Sequence, residues 1–177
     1  MGQLGLCIAQ LTTEGRQALL GSLWSGLALQ EVLDALGVEE GSRAKLSADA
    51  LALDAGSAPT LDLELHSLDS PDLRLPASLA PERIWRGAIH AVGAEVEAVL
   101  AHIDAVAGPR QRVVVAGGWA RDEAVLASKA PLGAVEVPPV VEAGARGAAL
   151  LGGVAAGIYD SVDTLPSLPI PAAAGRS

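Results

Sequence analysis

The sequence is short of aromatic residues, lysine and cysteine, and each shortage excludes something. It has no Phe, three Trp and one Tyr, so its core must be built from aliphatic side chains. Lysine occurs twice, as Lys45 and Lys129, and the chain has 12 basic against 21 acidic residues, a net charge of −9. Such a chain is a poor partner for nucleic acid or for an anionic membrane surface, because both are bound through clustered positive charge. Cys7 is the single cysteine, which excludes an internal disulfide and a cysteine-rich zinc site and makes a reducing, cytoplasmic setting the expectation. Long apolar runs are missing as well. The longest, Gly147 to Tyr159, has 13 residues and is rich in glycine, against the roughly 20 that a spanning helix needs. Gln3, Gln10, Thr12 and Glu14 interrupt the start, so no export signal is expected.

What is present is a chain of 177 residues, 50% hydrophobic and 19% charged. A mean hydropathy of +0.38 is the reverse of the disordered signature. The length suits one ordinary domain, or two very small ones, with a real core packed closely through Ala, Leu and Val.

Period and punctuation predict the elements. Leu4 to Leu11 reads as a buried strand, with a turn at Gly15-Arg16 into a second strand over Gln17 to Leu20. Leu27 to Leu36 carries a helical stripe that Ser25 would cap and Gly37 would close. Ser42 to Leu53 reads as a further helix. Thr60 to Leu68 alternates Leu61, Leu63 and Leu65 with Asp62, Glu64 and His66, the pattern of a half-buried strand. Pro81 and Glu82 then open a long helix over 81–107, in which Trp85, Ile89, Val92, Val96, Val99, Ile103 and Val106 recur at steps of four and three. After Gly108-Pro109 come a strand over Arg112 to Ala116, a glycine pair, helical character over Arg121 to Lys129, a strand over Ala134 to Val137, and a helix over Glu142 to Tyr159. Leu165 to Ser177 is a Pro- and Ala-rich tail. Alternating helix and strand from residue 81 onward predicts an α/β layer structure.

The most informative stretch is Val113-Val-Val-Ala-Gly-Gly-Trp-Ala-Arg-Asp122. A strand that passes through two glycines into a helix leaves backbone N–H groups uncovered, where a phosphate or a flat ring can rest. A Cβ there would hold the ligand away. A strand-to-helix turn can also carry glycine for geometry alone, and neither a P-loop nor a dinucleotide fingerprint is present.

Together with Glu82 to Ile89 and Glu142-Ala-Gly-Ala-Arg-Gly-Ala-Ala-Leu-Leu151, this order resembles the C-terminal domain of the FGGY carbohydrate kinases, of the actin, Hsp70 and hexokinase superfamily. The family's E-A-x-A-x-G-A-A helix is matched by Glu142, Ala143, Ala145, Gly147, Ala148 and Ala149. Its arginine-to-glycine pattern on the preceding long helix corresponds to Arg83 to Gly87, with Arg86 in place of an acid. Gly21 to Gln30 is similar to its small-residue entry into a helix.

The resemblance implies a ribonuclease H-like α/β lobe, a mixed sheet flanked by helices. Residues 1–164 would be part of the nucleotide-binding domain and 165–177 the tail. It implies ATP-dependent phosphorylation of a sugar or polyol. Gly117 and Gly118 would lie against the adenosine and its α-phosphate, with Trp119, Ala120 and Arg121 beside them and Gly144 lining the adenine pocket. The family's catalytic Asp and the loops that hold Mg²⁺ have no counterpart here. The chain alone is therefore expected not to catalyse transfer, and the partners implied are ATP or ADP and a small sugar or polyol. The alternative is a non-catalytic, actin-like nucleotide-binding or assembly module, which self-associates or docks a missing first lobe.

Other residues read more plainly. His66, His90 and His102 are too far apart for a local metal pair, and the last two fall off the helix stripe. Asp62, Glu64, Asp69 and Asp72 suit a solvated loop, Ser22 and Ser25 lack a triad-like context, and Cys7 reads as an inert core residue.

Overall fold

The computed structural model describes residues 6–10, 17–21, 23–65, 73–140 and 142–167. The chain divides into two compact units, Met1–Gln111 and Arg112–Ser177.

In the first unit, β1 (Leu6–Gln10) and β2 (Gln17–Gly21) form an antiparallel pair with Ile8 opposite Leu19, where two strands were expected. Helices α1 (Ser25–Ala35), α2 (Arg43–Ala52) and α3 (Pro81–Ala107) follow. Ser25 is the first residue of α1 rather than its cap. Trp24 holds the cap position, and its own N–H donates to Leu65 O at 2.8 Å. Gly37, at φ +65°, ends that helix as expected, since the left-handed backbone strains any residue with a Cβ.

The long helix has the predicted bounds. Pro81 needs no hydrogen-bond acceptor in the first turn, and Gly108, at φ +86°, stops the last. Asp104 then holds the exit by accepting from Arg110 Nη1 at 2.6 Å and from its N–H at 3.2 Å. Both α1 and α2 pack on α3. Their shared interior is Leu29, Val32 and Leu33 from α1, Leu46 and Ala50 from α2, and Ile84, Trp85, Ala88, Ile89 and Val92 from α3. Trp85 is completely buried, and its indole N–H donates to Ser47 Oγ at 2.9 Å. The buried face is wider than the predicted stripe because Ile84 and Ala88 join it. It also fades toward the C-terminus: Val96 and Ile103 are half-buried, and Val106 is 64% exposed.

Residues 60–65 form no strand. Leu65 is buried, and Asp62 and Glu64 are exposed as the alternation predicted, but apart from the bond from Trp24 N–H to Leu65 O no strand pairs with this backbone among the described residues. Alternation reported which side faces inward, not the presence of a ladder partner. His66, Asp69, Asp72, Ser22 and the tail beyond Ser167 lie outside the described residues, and Cys7 is described only as a residue of β1.

The second unit holds a parallel pair, β3 (Val113–Val114) with β4 (Val135–Glu136), extended by Val115 N–H to Glu136 O at 2.9 Å. Both strands are shorter than predicted. The described strands form two separate two-stranded sheets and not the single mixed sheet expected. Arg112 ties the pair together through the Glu136 carboxylate, with Nε at 2.7 Å. A 3-10 turn over Gly118–Arg121 leads into α4 (Glu123–Ala127), so the helical run predicted from 121 is broken at Asp122. Helix α5 (Ala143–Ala155) stops before Tyr159 because Gly157 takes φ +72°. The chain then folds back, bringing the Tyr159 ring onto Gly153, where a Cβ would stand 2.7 Å from it. No helix among the described residues is long and apolar enough to cross a membrane.

Gly87 gives the sharpest packing test. A Cβ there would lie 2.7 Å from Pro59 O and 2.8 Å from its Cγ. Gly87→Ala is expected to lower stability by about 1–3 kcal/mol in urea unfolding, as overpacking does. Gly41→Ala, with nothing within 4 Å, should change it by no more than about 0.5 kcal/mol.

Candidate functional site

Residues 117–122 of the second unit contain five of the six positions singled out by sequence. After β3, Gly117 takes φ +100° and ψ 178° and turns the chain; only glycine adopts this without strain. Its carbonyl accepts from Ala120 N–H at 3.0 Å, closing the 3-10 turn. The turn packs on α4. Ala120 is buried, Trp119 half-buried, and Gly118 and Arg121 exposed. Asp122 accepts from Ala124 N–H at 3.0 Å and Val125 N–H at 3.2 Å, so its buried carboxylate is the cap of α4.

Gly117 and Gly118 are glycines for different reasons. Gly117 needs its backbone. Gly118 has no left-handed φ, and no atom lies within 4 Å of where its Cβ would stand. Neither strain nor packing in this chain accounts for glycine there. The N–H groups of both residues donate to no acceptor among the described residues. The result is an open backbone donor surface with no side chain over it, suited to an anion or a flat ring.

Gly144, in the first turn of α5, is exposed and equally open. It is in the same unit but on a different element, and the turn's packing partner is α4, not α5. A groove among the described residues lies elsewhere. It has a volume of about 670 Å³, belongs to the first unit, and is lined by Glu31, Asp62, Glu64 and Arg74 among others. That acidic lining does not suit a nucleotide, and the glycine turn remains the better site on chemical grounds.

No three His, Cys, Asp or Glu side chains gather around a metal position among the described residues. His90 and His102 are exposed as expected, and His102 Nδ1 bonds back to Ala98 O at 2.9 Å within α3.

Sequence reasoning passed over Lys129. It sits just beyond α4, its N–H donating to Leu126 O at 2.9 Å, and is only 7% exposed. Its amine has no hydrogen bond or ion pair among the described residues, and burial lowers its pKa. Between Ser128 and Ala130 nothing in the local pattern distinguishes it from a surface lysine.

The comparisons with known proteins bear on the whole chain. No protein-family model matches it, and no curated protein does. Among solved structures, it is similar to the glycerol kinase of Plasmodium falciparum, a crystal structure determined with ADP, at a TM-score of 0.60 and 16% identity. The match covers 91% of this chain and 35% of that one, so the chain spans about a third of the kinase's length. The fold is shared. It is an α/β fold, carried here with a small parallel sheet and many helices.

The Lys129 environment predicts a pH signature. Its pKa is lowered from the ordinary 10.5 in the folded chain and restored on unfolding. Between those values the unfolded state holds more protons, so this group favours folding increasingly as pH rises through that window. Lys129→Met should unfold at higher urea than the natural chain at pH 7, and the gap should shrink as pH approaches 10.5. A gap independent of pH would contradict the burial of a charged amine.

Proposed function

We propose that this chain supplies the adenosine-binding part of an ATP-dependent carbohydrate kinase of FGGY type. Residues 1–164 would be part of its C-terminal domain and 165–177 a tail. The observation that carries this reading is Gly118, a glycine that neither backbone nor packing requires, beside uncovered N–H groups at the end of an apolar strand. Support comes from the fold shared with a kinase solved with ADP and from the Glu142 to Ala149 pattern on α5.

In this reading Gly117 and Gly118 present backbone donors to the adenosine and its α-phosphate, and Trp119, Ala120 and Arg121 border the nucleotide. Gly144 leaves room for the adenine. Phosphoryl transfer depends chiefly on positioning and charge stabilisation, and this chain's share is to bind and orient. ATP supplies the transferred phosphoryl group. No three His, Cys, Asp or Glu side chains gather around a metal position among the described residues, and the ligands of Mg²⁺ would lie outside this chain. The acceptor would be a sugar or polyol hydroxyl, with its general base outside these residues.

A second reading, a non-catalytic assembly module that binds nucleotide, is favoured by one observation. Helix α5 is apolar, yet Gly153 is its one buried residue, and Leu151 and Ile158 are 56% and 72% exposed. Exposed apolar surface of this kind suits a partner, either another copy or a further lobe.

Calorimetric titration with ADP tests both readings against a chain without a ligand. Gly118→Val should retain the fold, because its Cβ meets open space, and lose ADP binding by tenfold or more, about 1.4 kcal/mol. Unchanged affinity in a folded variant would remove the glycine turn from the site.

A further inference from the structure

We propose that Lys129 is the cationic receptor for a phosphate or pyrophosphate group in the second unit, meeting the tail of the nucleotide assigned to the glycine turn. This rests on the nucleotide reading above. A residue more than nine-tenths buried, carrying an ammonium with no partner among the described residues, is an arrangement folded proteins avoid. Lys45 shows the ordinary alternative: it is exposed and paired with Asp49. The remaining cations of residues 112–167 are otherwise disposed. Arg112 is held by Glu136, Arg146 donates to Pro166 O at 2.8 Å, and Arg121 is exposed. Asp122, the buried carboxylate of the same stretch, is directed to the N–H groups of α4.

Position favours the nucleotide's tail as the missing counter-charge. Lys129 is wound onto the C-terminal end of α4, which packs on the 3-10 turn carrying Gly118, and Ala120, Ala124 and Val125 are buried in the same stretch. The uncovered N–H groups of that turn attract the same class of anion. A buried amine that lacks a counter-charge weakens the empty chain and strengthens the bound one. Such opposed effects are common where function and stability compete.

Titration of the natural chain and of Lys129→Met with ADP, adenosine and pyrophosphate decides the matter. The variant should bind ADP and pyrophosphate about 10- to 100-fold more weakly, the range for a hydrogen bond to a charged group, and adenosine as before. ADP affinity equal to that of the natural chain would overturn the assignment. If the natural chain binds neither ADP nor pyrophosphate, the nucleotide reading falls and this inference with it. If it binds pyrophosphate through Lys129 but not adenosine, the adenosine site falls and Lys129 stands, as a receptor for free phosphate. Should Lys129→Met not fold, side-chain NMR of the natural chain serves, since two lysines give two resonances. Pyrophosphate should shift the Lys129 signal and leave Lys45 in place; an unmoved Lys129 signal would overturn the proposal.

Discussion

Trp85 is the side chain around which the first unit closes. It projects from α3 with no exposed surface, and its indole N–H is satisfied by Ser47 of α2. A sequence with so few aromatic residues places one of its three tryptophans where α1 and α2 meet α3, and surrounds it with Ala, Val, Leu and Ile. Burying that ring without a partner for its N–H would forfeit much of the gain from its apolar area. Ser47 therefore specifies how α2 sits on α3. Close approach does the rest: Gly87 admits the Pro59 backbone to the helix surface, and Arg86 donates to Ala50 O.

The second unit is organised differently. Its strands are two residues long, and its shape is set by backbone turns at Gly117, Gly133 and Gly157, each at positive φ. Where a turn of this kind is required by geometry, glycine has a structural explanation. Gly118 does not share it. That contrast between adjacent residues leaves Gly118 open to the proposed role in binding, which Gly117 does not need to explain its glycine. It also explains why a small and open unit can still present a defined surface: Asp122 fixes the start of α4, and the turn before it is held against that helix.

Sequence was most informative where a single period ran long enough to outweigh local noise. Helix α3 has the expected bounds because a proline, an acidic first turn and a closing glycine agree with seven stripe positions. It was least informative where pairing partners decide. Leu61 to Leu65 alternates like a strand but has no strand beside it among the described residues, and Arg112 to Ala116 forms a ladder over two residues only. Ser25 was misplaced by one residue because serine also sits comfortably in a first helical turn. The glycine turn was legible as a motif, whereas Lys129 was not, since its burial is a property of packing that neighbouring residues do not announce.

The fold shared with a kinase and the uncovered donors of the glycine turn both support the proposal that the backbone at residues 117–119 receives a nucleotide. Amide NMR of the chain titrated with ADP tests this most directly. The account predicts the largest shifts at the N–H groups of Gly117, Gly118 and Trp119, saturating with ADP. Shifts absent from this turn, or confined to the first unit, would contradict it.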